Sequence, residues 1–124
     1  MDNKRKLQRE NDQLWKDVCL ALWGDKCLVC NQSPVTFHHF VPRGRNGSMV
    51  YDEQNGIPLC QRHHYIIHFS ASPAEIYRTV QVIRDRKERD WCKYIDRKEK
   101  IHKSSFKTIK WLQSENKRLK KLLD

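Results

Sequence analysis

Two short pairs of metal-ligand residues, Cys27-x-x-Cys30 and Cys60-x-x-His63, constrain this chain more than any other feature. Two such side chains three positions apart on a tight turn can face one tetrahedral ion, so each pair is half of a closed zinc site. Joined, they pin both ends of the excursion from Val35 to Leu59. That excursion is β-prone at its ends and rich in Gly, Asn and Arg in the middle, as a hairpin would be. The four-ligand reading is Cys27, Cys30, Cys60 and His63; His64 is adjacent to His63, and spacing alone leaves the two as alternatives for the fourth place. A thioredoxin-like redox pair is the other common meaning of Cys-x-x-Cys, but no βαβ pattern surrounds this one.

A staple of this kind suits the composition. The chain has 124 residues, 38% hydrophobic and 32% charged, enough for one small core with helical extensions and not for two full cores. Its net charge of +10 is spread from Lys4 to Lys121. Such a distribution suits a polyanionic partner such as nucleic acid. No apolar run approaches membrane-spanning length, and the N-terminus is polar and charged, so no membrane partner and an intracellular, cytoplasmic location are expected. Five cysteines, two of them in Cys-x-x-Cys, point to metal chemistry in a reducing compartment and away from a disulfide framework.

A second set of residues has a different character: His38, His39, Asn55, His64 and His68. His64 and His68 are four apart in a segment, Arg62 to Phe69, free of Gly and Pro, so on a helix they share a face and can hold one ion. His38 and His39 stand in a β-prone stretch, where neighbouring side chains point to opposite sides. One can therefore ligate a metal while the other does something else.

In this order, Cys-x-x-Cys, a His-His pair, an Asn and then Cys-x-x-His-His, the chain resembles the HNH endonucleases, whose ββα-metal fold sets a hairpin and a helix around one divalent cation. The stretch His38-His39-Phe40-Val41-Pro42-Arg43-Gly44, with Asn55-Gly56-Ile57-Pro58-Leu59-Cys60 downstream, is closer still to phage recombination nucleases of the NinG (Rap) and Ref type. The resemblance covers about Cys27 to His68. It implies His38 and His64 as ligands of a catalytic cation and His39 as the general base, with Asn55 holding that base in place. His68 matches a further histidine found in the colicin-like branch. The implied activity is DNA hydrolysis in a phage or mobile-element setting, and, for a phage protein, in the host cytoplasm. An imidazole site of this kind accepts Mg, Mn, Ni or Zn to different degrees, and nothing in the sequence chooses among them.

The fold class expected is therefore α+β: a zinc-stapled ββα-metal core over residues 25–70, an N-terminal basic helix over 1–24, and a helical extension over 71–124. Residues Asn3 to Trp23 lack Pro and Gly, with Leu7, Leu14, Val18, Ala21 and Leu22 at helical spacing and Gly24 as a stop. Cys19 reads as a small buried hydrophobe. Ser72-Pro73-Ala74-Glu75 opens a second helix that runs on or breaks through Arg84 to Asp90. In the last helix, about Ser104 to Leu123, Ile109, Leu112, Asn116, Leu119 and Leu123 form a two-heptad seam. It can make a homodimer or pack on the N-terminal helix of the same chain. Arg43, Arg45 and Arg62 are candidates for DNA phosphates, since the guanidinium fork matches phosphate oxygens. Two other classes compete with the nuclease: a catalytically silent zinc module that only binds nucleic acid, and an interaction protein built on the terminal helices.

Overall fold

The computed structural model describes residues 3–43, 47–101 and 108–124. Helix α1 spans Asn3–Trp23, the span expected from its pattern. It stops at Gly24, whose positive φ of 79° lets its N–H turn back to the Leu20 carbonyl (3.0 Å). Its buried face differs from the expected stripe. Asn11, Trp15, Val18 and Cys19 are buried, whereas Ala21 is exposed and Leu22 is 51% exposed. The row Trp15, Cys19, Trp23, spaced by four, takes the inward side and rotates Leu22 away from it.

Strands β1 (Thr36–His39) and β2 (Gly56–Leu59) pair antiparallel, Thr36 opposite Leu59 and His39 opposite Gly56. Helix α2 (Gln61–Phe69) follows one residue later. Helix α3 (Pro73–Glu99) begins as expected, with the Ser72 hydroxyl accepting from the Glu75 N–H and Pro73 in the first turn. It breaks at Glu88 (φ 75°). Beyond the break the chain doubles back: Arg84 makes a two-pronged bond to Asp96 (2.7 and 3.1 Å), and the Cys92 thiol reaches the Arg84 carbonyl (3.3 Å). In a straight helix Arg84 and Asp96 would be about 18 Å apart. Helix α4 (Ile109–Leu122) is capped by Thr108; residues 104–107 of the expected span lie outside the described residues. Among the described residues the architecture is α+β, four α-helices around a two-stranded sheet.

Two apolar clusters hold these elements. One joins Cys27, Val41, Met49, Ile57 and Leu59 to Ile83, Trp91 and Ile95 of α3. The other joins Trp15, Val18 and Cys19 to Val50, Tyr51 and to Leu112 and Leu119 of α4. β2 lies between them, with all four residues buried. Helix α1 crosses β2 at Gly56, where a Cβ would collide with Cys19 Sγ and press on Trp15 Cζ2 (3.1 Å). Only glycine allows that approach. The α4 seam is filled within the chain: Leu112 and Leu119 are fully buried against α1. Asn116 donates to the Asn11 side-chain oxygen (2.9 Å), and Asn11 donates to the Leu112 carbonyl (3.0 Å). The asparagine at a seam position thus sets the register of two helices of one chain. Among the described residues no helix is long and apolar enough to cross a membrane.

Lys87 is an unusual member of this interior. It is 9% exposed, its ammonium lies 3.1 Å from the centre of the Trp23 ring, and the Gly56 carbonyl is 3.5 Å away. Burial draws its pKa down from 10.5 to about 8. Because the folded value lies below the unfolded one, the unfolded chain binds more protons between about pH 8 and 10.5, and this group's contribution to stability rises with pH across that window. Lys87→Met should remove the rise. It should also stabilise the protein at pH 7 by about 1–2 kcal/mol, the desolvation relieved less the cation–π attraction lost. Urea unfolding of both proteins at pH 7 and pH 10 checks this; a variant less stable at pH 7 would contradict it.

Candidate metal centre

Cys27, Cys30, Cys60 and His63 converge with their ligand atoms within 4.8 Å of one another. The first pair sits in a knuckle built by local bonds. Cys27 N–H donates to Gln32 O and Asn31 N–H to Cys27 O (both 2.8 Å), with Asn31 in the left-handed region at φ 64°. Asparagine tolerates that conformation better than most residues. The Leu28 N–H donates to Pro58 O (2.9 Å) and ties the knuckle to β2. The second pair spans the junction of β2 and α2, Cys60 standing as the N-cap of the helix. Cys30 Sγ is 3.7 Å from Cys60 Sγ, and His63 Nδ1 is 3.6 Å from Cys27 Sγ and 3.2 Å from Cys60 Sγ. A tetrahedral zinc sets its sulfur and nitrogen ligands about 3.5–3.8 Å apart. The donor set and its spacing fit, and the cluster can hold a structural metal ion. Burial works against a Cys27 thiolate, yet N–H groups of Cys60, Cys30 and Val29 aimed at it bring its pKa below the usual thiol value.

The structure also separates His63 from His64. In α2 successive residues are rotated by about 100°, so His63 turns to the cysteines while His64 turns to β1. There the His64 ring stacks on His38 (centroids 3.7 Å), and His68 approaches both edge-on (4.7 Å from His64, 6.1 Å from His38). Ligand atoms of His38, His64 and His68 lie within 4.8 Å of one another. The pKa of His38 is lowered to about 4, first by burial and then by His64 and His68; that of His64 is lowered too, first by burial. The His38 and His64 rings therefore favour the neutral form, in which each offers a lone pair. The Thr36 hydroxyl, two residues back on the same side of β1, stands 2.6 Å from His38 Nε2. Unlike the cysteine cluster, which is buried to half-buried, this trio has an exposed member in His68.

His39 points to the other side of β1. Its ring lies flat on Trp15 of α1 (4.1 Å, 2° between planes), and Trp15 is anchored by its own N–H to the Asp52 carbonyl (2.8 Å). His39 Nε2 donates to the Val50 carbonyl (2.8 Å), since a carbonyl can only accept. In the neutral ring that leaves the lone pair on Nδ1. Burial lowers the pKa of His39, against the opposing pull of Val50.

Asn55 is fully buried and its side chain bonds to the loop between the strands. Its Oδ1 accepts from the Val41 N–H (2.8 Å), and its Nδ2 donates to the carbonyls of Val41 (3.0 Å) and Met49 (3.3 Å). Asn55 is expected to hold His39; its side-chain bonds go instead to Val41 and Met49, at the neck of the loop, and it is the Val50 carbonyl that accepts from the histidine. Asn55→Ala leaves three buried polar groups to find new partners and should lower stability by about 3 kcal/mol. Thermal unfolding tests it, and a loss under 1 kcal/mol would show that the loop is closed by other means.

Of the three arginines, Arg43 is exposed and paired with Asp12 of α1 (2.9 Å). Arg62 is exposed at the start of α2, and Arg45 lies outside the described residues. Sequence reading gave Trp15, Val50 and Thr36 no role beside the histidines. For Trp15 a signal existed in its i, i+3, i+4 relation to Val18 and Cys19; for the Val50 carbonyl there was none, because any residue supplies one. Compared with known proteins, the chain matches no family model, no curated protein and no solved structure.

Proposed function

We propose that this protein is a metal-dependent endonuclease of the HNH type that hydrolyses DNA phosphodiester bonds, in a phage or mobile-element setting. The observation that carries the reading is the division of labour on adjacent residues of one strand. His38 joins a compact histidine trio on one side, and His39 is held in a single tautomer on the other. Their Cα atoms are about 3.8 Å apart, and in this reading one phosphodiester at the strand edge would be shared by both. A non-catalytic module has no use for a base fixed in this way.

The residues divide the work as follows. His38, His64 and His68 would hold a divalent cation, which supplies Lewis-acid stabilisation of charge on the phosphoryl and leaving oxygens. The Thr36 hydroxyl, 2.6 Å from His38 Nε2, would steady that ring. His39 Nδ1 takes a proton from water, and the water oxygen bonds to phosphorus as the P–O3′ bond breaks. The 3′ oxygen takes its proton from solvent, and the products are a 5′-phosphate and a 3′-hydroxyl. Cys27, Cys30, Cys60 and His63 would hold one structural zinc and so fix the phase of α2 that aims His64.

Incubation of supercoiled plasmid with the protein and Mg, Mn, Ni or Zn in turn tests the reading. Nicked or linear product ending in 5′-phosphate supports it. Intact plasmid with every metal, with salt-sensitive binding retained, would overturn it in favour of a silent DNA-binding module.

A further inference from the structure

Helix α1 carries a stripe the histidine chemistry does not use. Arg5, Arg9, Asp12 and Lys16 follow at intervals of four, three and four, one face of a helix, and all but the half-buried Asp12 are exposed. The acids of the described helix do not spoil this stripe. Asp12 is paired with Arg43 (2.9 Å), Glu10 is turned to α4 and held by Lys120 (3.0 Å) and Asn116 (3.1 Å), and Asp17 accepts from Gln13 (3.0 Å). What remains is a line of positive charge. Alongside it runs a groove of about 300 Å³ whose rim includes Arg5, Arg9 and Arg43 and whose floor is Val50, Tyr51 and Trp111.

The stripe leads to the histidines. Val50 lines the groove and also gives its carbonyl to His39. Lys16, at the other end, acts electrostatically on both His38 and His39, and Arg43 and Asp12 act on His39. From Arg5 to Lys16 is about 16 Å along the helix, the axial length of about five nucleotide steps of one duplex strand.

The geometry points to the α1 stripe as the track for a DNA backbone, with Arg5, Arg9 and Lys16 contacting phosphates spread over about five steps on one side of the phosphate presented to His39, and Arg43 exchanging Asp12 for a phosphate when DNA is bound. The inference rests on the nuclease reading only for which phosphate is cut; the track itself is a binding surface. It accounts for a basic N-terminal helix laid over the sheet, where apolar packing alone would have left the outer face free to carry any polar residue.

The test measures binding of a fluorescent 20-base-pair duplex between 50 and 200 mM salt, with the cysteine site kept loaded with zinc and no other divalent cation added, so that no cleavage interferes. Three proteins are compared: the parent, the Arg5→Gln/Arg9→Gln/Lys16→Gln triple, and an Arg89→Gln/Lys93→Gln/Arg97→Gln control that removes the same charge from the exposed face of α3. All six positions are exposed, so folding is not at stake. Each lost phosphate contact flattens the salt dependence by about 0.9, so across this range the parent should lose about 40-fold more affinity than the stripe triple. The control should follow the parent. Equal salt dependence in the two triples would overturn the track. Plasmid cleavage is read separately: a parent that binds through the stripe and cuts nothing defeats the nuclease reading alone, and a cutting parent with a stripe triple of unchanged affinity defeats the track alone.

Discussion

Replacing His39 with alanine should reduce plasmid cleavage by about 1000-fold while leaving the metal sites and DNA affinity in place. The size follows from the role: a positioned general base contributes about 10²–10⁴ in rate. His39 is well placed for such a role because its geometry is fixed twice, by the flat stack on Trp15 and by the Val50 carbonyl. The stack also gives the substitution a structural cost, about 1 kcal/mol for the lost aromatic contact. A second variant separates the two effects. His39→Gln can still donate from its side-chain amide to the Val50 carbonyl, yet has no basic nitrogen at neutral pH. Both variants should be inactive if proton transfer is the role. Cleavage retained in His39→Gln would mean that the ring only braces the loop. A readout that needs no cleavage, duplex binding with the cysteine site zinc-loaded and no other divalent cation added, should stay within about twofold of the parent for both.

The parts of this site legible in sequence were those where residue type and spacing act alone. Cys-x-x-Cys with Cys-x-x-His imposes one tetrahedral geometry, and the four residues do meet. His64 and His68 share a face because a helix places i and i+4 together, and the helix forms. The choice between His63 and His64 needed the phase of α2 relative to β1, which is set by where Cys60 caps the helix. That phase is a tertiary fact.

Other features depended on distant partners and left no local trace. The break at Glu88 falls on a residue that is neither Gly nor Pro, so no punctuation marks it. It persists because Ile83 on one arm and Trp91 and Ile95 on the other pack into one cluster, with Arg84 and Asp96 bonded across the gap. The seam of α4 was visible, but two heptads suit a second copy or the same chain equally well. What decided it was Asn11, a polar residue in the middle of α1 whose value lies only in meeting Asn116 and the Leu112 carbonyl. The same holds for Asn55, whose three loop partners are six to fourteen residues away.

Removal of a zinc held by Cys27, Cys30, Cys60 and His63 should unfold the protein. Only fifteen hydrophobic residues are buried among those described, divided between two clusters on opposite sides of β2. A core of that size supplies few kcal/mol beyond the conformational entropy it must offset. A structural zinc contributes about 10–16 kcal/mol of apparent binding energy at pH 7, as much as or more than the whole stability of a typical domain. Cys60→Ser should therefore abolish stoichiometric zinc and cooperative melting together, as read by metal analysis and circular dichroism. Native-like melting within about 2 °C of the parent would show that the core stands alone and that the cysteines have another use. The histidine trio should behave differently, because His68 is exposed and the trio has only three protein ligands. Dialysis against a mild chelator should strip any cation held there with the helical signal intact. The two sites are nevertheless linked by adjacency: His63 belongs to one and His64 to the other, in the first turn of α2. Losing a zinc from the cysteine site would release that turn, so under the nuclease reading Cys60→Ser would remove the aim of His64 even where helix survives, and no added divalent metal should give that variant cleavage.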